Sequence, residues 1–362
     1  MKVPQAQPVM TEEMIQAAAD ALRNERLTLG ESVAKFEDAF ARMCGTKHAI
    51  AVSSGTAALQ LALQAAGVKS GDKVLTAAMS FVATSNSFVA FGGVPVFTDV
   101  DGGDFNLDPA KLRFDSGTKA VIPVHLYGYP ARMAEINEAA AKHGAIVVED
   151  ACQAHGAMYK GKRAGALGLM GCFSFYPTKN MHVGGDGGMV TTDDAELADL
   201  VMRLRHCGRK GQYEHDLIGT TARLNSANAA VGIEQLKMLP QWNEKRRAVA
   251  AKYDSMLAGV GDLRLPPKPS NDFEPVYHQY AILTKRRNEL KAHLGSKGVG
   301  VGVHYDIPIH LQPVYRDMYG FKEGMLPITE RLCKEVLTLP MFVDITDEQI
   351  KYVAESIAGF YG

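Results

Sequence analysis

Four segments of this chain combine reactive residue types with spacings that suit one kind of chemistry. In Phe173-Ser174-Phe175-Tyr176-Pro177-Thr178-Lys179-Asn180, a lysine follows an aromatic run and precedes the stretch Gly184-Gly185-Asp186-Gly187-Gly188. A lysine amine forms Schiff bases with carbonyl cofactors, and burial lowers its pKa so that the neutral form becomes accessible. Most lysines are solvated surface residues. The context sets Lys179 apart, because the glycines allow tight backbone paths near a ligand. In Val147-Val148-Glu149-Asp150-Ala151-Cys152-Gln153, an acid ends an apolar run. That is the edge at which open α/β sheets bind ligands. A carboxylate there can keep a pyridine nitrogen protonated, which makes a pyridoxal ring a better electron sink. Gln153, three residues on, is spaced to reach the ring hydroxyl. Asp150 as the N-cap of a following helix is an equally open reading.

The other two segments would hold such a ligand. In Ser53-Ser54-Gly55-Thr56-Ala57-Ala58-Leu59 a strand ends and a helix begins. Helix N-termini bind phosphate through free N–H groups and the dipole. Gly55 permits close approach and the Thr56 hydroxyl can donate, although plain capping by Ser or Thr explains the same residues. Phe81, after Ala77-Ala78-Met79-Ser80, can stack on a planar ring, and standing alone it reads as an ordinary core residue. Motifs for other chemistries are missing: no GxxxxGK[ST], no GxGxxG and no HExxH. His125, His155 and His310 lack metal-ligand spacing, so no metal is expected and each reads as a hydrogen-bonded structural histidine.

These residues need a scaffold. Short apolar runs alternate with helical stretches. Strands are expected at 48–52, 73–76, 95–98, 120–125, 145–149, 172–175 and 188–191, and helices at 56–66, 81–91 and 131–143. Apolar runs without alternation suit strands buried on both faces of a mostly parallel sheet, and the strand–helix order implies a layered α/β fold. After about residue 240 the texture changes. A charged helix over 236–257 is placed to connect two domains, followed by strands at 276–283 and 299–305 and helices at 288–297 and 347–360. The expected division is 1–240 for a large, ligand-binding domain and 241–362 for a small α/β domain.

The chain has 362 residues, enough for two domains of ~100–200 residues. Lys+Arg total 39 against 40 Asp+Glu, so no global field favours nucleic acid or an anionic membrane as partner. Five cysteines with no CxxC pair argue against a disulfide framework. Residues 1–10 lack the basic-then-apolar pattern of a signal peptide. No apolar run reaches the ~18 residues of a membrane span. Together these predict a cytoplasmic protein.

Read in order, Ser-Gly-Thr-Ala-Ala-Leu (54–59), Glu-Asp-Ala-Cys-Gln-Ala-His-Gly (149–156), Ser-Phe-Tyr-Pro-Thr-Lys-Asn (174–180) and Gly-Asp-Gly-Gly (185–188) resemble the DegT/DnrJ/EryC1/StrS family. These are sugar aminotransferases of the fold-type I, aspartate-aminotransferase-like class. The segments 33–37, 304–313 and 337–341 are similar to the family's as well. The resemblance implies a seven-stranded, mostly parallel sheet between helices and a smaller C-terminal α/β domain. It implies pyridoxal 5'-phosphate joined to Lys179 as a Schiff base, with Asp150 at the pyridine nitrogen and Gln153 at the ring hydroxyl. Gly55, Thr56, Ala57 and Ser174 match phosphate-binding positions, and Phe81 the stacked aromatic. His310, Tyr305 and Arg223 match substrate contacts. The implied reaction moves an amino group from glutamate to a keto sugar, carried by UDP, dTDP or GDP. A homodimer with shared sites is implied too. A keto-cyclitol acceptor and a sugar dehydratase, which replaces the lysine by histidine, are the alternatives within the class; a non-catalytic ligand-binding regulator is the alternative outside it. One position departs from the pattern: Thr221 stands where the family commonly has an Asn that reaches the partner's cofactor phosphate.

Overall fold

The seven apolar runs become seven strands of one sheet: β1 (His48–Val52), β2 (Lys73–Ala77), β3 (Val94–Thr98), β4 (Thr118–Ile122), β5 (Ile146–Asp150), β6 (Met170–Ser174) and β7 (Gly188–Thr192). The computed structural model describes residues 1–362. The strand order is β1-β7-β6-β5-β4-β2-β3. Neighbours from β6 through β3 run parallel, while β7 is antiparallel to both β1 and β6. Successive side chains of a strand point to opposite faces, and here consecutive residues enter two different cores. Leu75, Val121 and Val147 join one; Val74, Ala120, Ile122 and Val148 join the other. Both faces are covered, so the strands read as unbroken apolar runs rather than as alternation.

The helices that bear on the site are α1 (Glu31–Cys44), α2 (Gly55–Ala65), α3 (Ala83–Val89), α4 (Met133–Lys142), α5 (Ser226–Leu257) and α6 (Pro327–Glu335). Leu59, Leu61 and Leu63 of α2 pack on one face of the sheet, and Met133, Ile136 and Ala140 of α4 on the other. Each leucine, isoleucine or methionine among them contributes ~1.5–3 kcal/mol by leaving water. A further core gathers the C-terminal end of α5 with the antiparallel pair β8 (Tyr280–Leu283) and β9 (Val336–Leu339), the helix Asp347–Tyr361 and Val3. A buried acid ties the layers together. Asp99, just past β3, accepts N–H bonds from Ile328 (3.0 Å) and Thr329 (2.7 Å) and caps the start of α6.

Several elements differ from the sequence expectation. α5 starts at Ser226, not at 236. The Asn225 side chain caps it by accepting from the Asn228 amide at 2.8 Å. Its first half carries Ala229, Ala230 and Gly232, and a Cβ on Gly232 would lie 2.7 Å from the Phe36 ring of α1. Small residues allow that close approach and leave no large apolar periodicity to read. The segment 299–305 is not a regular strand. Gly298, Gly300 and Gly302 weaken it, and residue 3 takes up its hydrogen bonds: Val3 N donates to the Gly298 carbonyl (3.0 Å) and Gly300 N to that of Val3 (2.8 Å). The strand expected over 276–283 is regular only from Tyr280, because Tyr277 has a positive φ of 42°. The helix expected over 81–91 begins at Ala83 and leaves Phe81 ahead of it.

Candidate active site

The sheet register gathers the predicted segments on one edge. Gly188, the first residue of β7, pairs with Val52 on one side and Ser174 on the other, and Asp150 pairs with Cys172 of β6. The turn at 53–55, Ser174 and Asp150 therefore share the carboxyl edge of adjacent strands, where open α/β sheets hold ligands. The Ser54 hydroxyl accepts from the Ala57 amide at 3.1 Å, so this serine is a true cap of α2. The cap leaves the amides of Gly55 and Thr56 without an intrahelical partner. A Cβ on Gly55 would lie 2.7 Å from the Cβ of Ser174 and 2.9 Å from the Cys152 Sγ. Gly55 and Ser174 thus form a cradle that any larger residue would fill. The Thr56 side chain is exposed beside it.

Asp150 begins no helix; residues 151–156 run in turns, so the N-cap reading is set aside. Its Oδ1 accepts from the Cys152 amide at 3.2 Å and its Oδ2 from the Thr84 hydroxyl of α3 at 2.7 Å. The preceding residue is equally constrained. The buried Glu149 carboxylate accepts amides of Gly165, Leu167 and Gly168, each at 2.7 Å, and lies 2.9 Å from His125 Nε2. His125 Nδ1 accepts from the Ala131 amide at 2.9 Å, so Nε2 carries the proton and donates to Glu149. Gln153, three residues after Asp150, is buried. Its Oε1 accepts from the Tyr127 amide (2.8 Å) and its Nε2 donates to the Tyr305 hydroxyl (3.2 Å). The rings of Tyr305 and Phe81 are 6.0 Å apart, and Phe81 is exposed.

Lys179 sits on the loop after β6, partly buried, with no ion pair to any carboxylate. Burial lowers its amine's pKa from the ordinary lysine value, and the nearby Cys152 and Asp150 raise it in part. The next residue anchors the loop. Asn180 donates to Asn243 (3.0 Å) and to the Val276 carbonyl (2.9 Å), and lies 3.2 Å from His278. The surrounding imidazoles are held neutral: burial takes His155 down to about 3 and His304 to about 4.

Two predicted residues have side chains that make no hydrogen bond to this cluster. His310 is buried, 3.1 Å from Glu330 and against Phe97. Arg223 bridges to Val52 at the sheet edge and lies 3.0 Å from His206, without a carboxylate partner. Thr221 contacts Cys207 at 3.3 Å. His155, read as hydrogen-bonded, has neither ring nitrogen paired and instead packs between Phe173 and Phe175. Sequence reasoning missed Thr84, Tyr127 and Asn180. A signal existed for the first: Thr84-Ser85-Asn86-Ser87 places small polar residues where an amphipathic helix would be apolar, and three of the four are buried.

Residues 8–358 match the DegT/DnrJ/EryC1/StrS aminotransferase family. The chain belongs to that family. Among relatives, a dTDP-3-amino-3,4,6-trideoxy-alpha-D-glucose transaminase of Streptomyces venezuelae is 40% identical, the match covering 94% of this chain and 90% of its own. A pleiotropic regulatory protein of Geobacillus stearothermophilus is 44% identical over 96% of this chain and 94% of its own. The crystal structure of S. venezuelae DesV in complex with a ketimine intermediate superposes with a TM-score of 0.95 at 38% identity, covering 99% of each chain. The family's layered α/β architecture is the one described above. No helix is long and apolar enough to cross a membrane.

Proposed function

We propose that this aminotransferase uses pyridoxal 5'-phosphate joined to Lys179 to move an amino group from glutamate to a nucleotide-linked keto sugar. The observation that carries the reading is an amine without a counter-ion, made easier to deprotonate by burial, on the edge that also presents Asp150 and the Gly55–Ser174 cradle. The residues fit the cofactor. The free amides of Gly55 and Thr56 with Ser174 would take its phosphate, beside Ala57 whose own amide is held by the Ser54 cap, Asp150 its ring nitrogen, Gln153 its ring hydroxyl and Phe81 its face. When bound, it supplies an aldehyde for the amine and a ring that draws electrons from the reacting carbon.

The protein's own part is positioning and proton transfer. The Lys179 amine would take the proton from the donor's Cα and deliver it to the cofactor's former aldehyde carbon within the same half-reaction, and in the second half would move a proton the opposite way onto the acceptor's carbon. Asp150 holds the charge on the ring nitrogen, while the Asn180 bonds keep the lysine loop in register. Tyr305, linked to Gln153, flanks the acceptor side with Phe81. His310 and Arg223 remain proposed substrate contacts. A homodimer with shared sites in the cytoplasm completes the reading, and Thr221 would make its contact to the partner's phosphate shorter in reach than the usual Asn. Support for a nucleotide sugar comes from the name of the Streptomyces relative.

A dehydratase is disfavoured because position 179 is lysine, and His182 is engaged with the Val9 carbonyl at 3.0 Å. The Geobacillus relative's name favours a second reading, a regulator that binds the cofactor without turnover. One experiment separates them. Absorbance of the protein with pyridoxal phosphate should show a band near ~420 nm that glutamate shifts to ~330 nm, as amine transfer through a lysine Schiff base requires. dTDP-linked keto sugars should then restore the first band. Loss of both shifts in Lys179→Ala is expected; a wild-type band that ignores every amino donor would sink the transaminase reading.

A further inference from the structure

The Asp150 carboxylate is held by one hydroxyl, which a second hydroxyl orients in turn. Thr84 Oγ1 donates to Asp150 Oδ2 at 2.7 Å, and Ser80 Oγ lies 2.7 Å from Thr84 Oγ1. An ionised carboxylate only accepts, so the Thr84 proton points to Asp150 and the Ser80 proton must point to Thr84. The order of donors is thereby fixed. Ser80 and Thr84 are 3% and 1% exposed, so no bulk water can replace either one. The Cys152 amide on Oδ1 completes the restraint, and the carboxylate cannot rotate without breaking a bond at one oxygen. The Thr84 backbone is committed too. Its amide donates to the Phe81 carbonyl at 3.0 Å and its carbonyl accepts the Ser87 hydroxyl at 2.7 Å. One residue of α3 therefore joins the proposed stacking aromatic to the proposed ring-nitrogen acid.

We infer that Thr84, itself oriented by Ser80, is a positioning residue that sets where the proton between Asp150 and the cofactor's ring nitrogen resides. The inference rests on the function proposed above. A donated hydroxyl stabilises the carboxylate form, and charge-assisted bonds of this kind are the strong ones. With the hydroxyl present, the proton stays on the ring nitrogen and the ring withdraws electrons fully. Without it, the carboxylate competes for that proton. A merely structural threonine would affect folding and leave the ring nitrogen unchanged.

The test uses full-length protein loaded with pyridoxal phosphate labelled with 15N in the ring. Thr84→Val keeps the shape and removes the hydroxyl, Thr84→Ser keeps the hydroxyl, and Ser80→Ala removes only the outer donor. Thr84→Val should move the 15N signal toward that of unprotonated pyridine and speed cofactor release about tenfold, the scale of one hydrogen bond to a charged group. Thr84→Ser should restore both, and Ser80→Ala should fall between. A folded Thr84→Val with wild-type signal and release overturns the inference. Should Thr84→Val fail to fold, Ser80→Ala decides alone: wild-type values in both readouts overturn it, and a shift in both supports it. A wild-type protein that binds no cofactor through Lys179 overturns the proposed function first, and this inference with it.

Discussion

Glu149 and His125 lie 2.9 Å apart with both side chains fully buried, directly before the acid of the candidate site. Four hydrogen bonds converge on the Glu149 carboxylate. Glu149→Gln turns a pure acceptor into a side chain with two donors, one of which faces amide N–H groups. Leaving a buried donor set against other donors in this way costs ~1–3 kcal/mol. Urea unfolding should report that loss, and a loss below ~1 kcal/mol would mean that the cluster contributes no more than an ordinary surface site.

Gly55→Ala tests the cradle. The added methyl would meet Ser174 at 2.7 Å and the Cys152 sulfur at 2.9 Å, closer than carbon contacts allow. Overpacking of this kind costs ~1–3 kcal/mol. If the cradle holds phosphate, affinity for pyridoxal phosphate should drop by at least about tenfold as well, the equivalent of ~1.4 kcal/mol. Fluorescence titration of the apoprotein measures it. Unchanged affinity would move the phosphate elsewhere.

Gln153 separates two hydrogen bonds that one substitution can split. Gln153→Glu keeps an acceptor for the Tyr127 amide and loses the donor to Tyr305. Gln153→Met loses both and leaves a buried N–H unpaired, at ~1–3 kcal/mol. The methionine variant should therefore unfold at lower urea than the glutamate variant. The reverse order would show that burying a carboxylate at this position costs more than leaving the Tyr127 amide unpaired.

His155 predicts an acid weakness. Burial takes it down to about 3, whereas an unfolded histidine titrates near ~6.5. Between those values the unfolded chain holds a proton that the folded chain does not. Stability therefore falls as pH drops through that window, by at most ~1.4 kcal/mol per pH unit from this group. His155→Phe keeps a ring between Phe173 and Phe175 and removes the titration. Wild type should lose more stability than the variant between pH 6 and pH 4, as read from urea midpoints. Equal losses would assign the acid sensitivity to other groups.

The sheet was legible because its strands are buried on both faces and read as apolar runs. The Lys179 and Asp150 segments were legible because reactive residues sat where such runs end. Local pattern could not report what distant segments supply. Val3 occupies the hydrogen bonds expected of a strand at 299–305, and Gly232 lets α5 press on Phe36, which erased the helical periodicity of its first half. Thr84 is 66 positions from Asp150 along the chain, and no spacing rule connects them. His310 remains a proposal on its motif alone. Its motif suggests a contact with substrate, while its ring is buried against Glu330.

β7 runs opposite to its two neighbours, and this reversal governs how the lysine is carried. The chain leaves β6 and re-enters the sheet at Gly188 on the same edge, so the segment bearing Lys179 is an arch with both feet on adjacent strands. Asp150 stands one strand further, paired to β6. Strands keep a spacing of about 4.8 Å, and the feet of the arch inherit it. An insertion in the arch would lengthen the span over the edge without moving its footings. The sheet works here as a ruler, and the amine and its acid are read off neighbouring divisions.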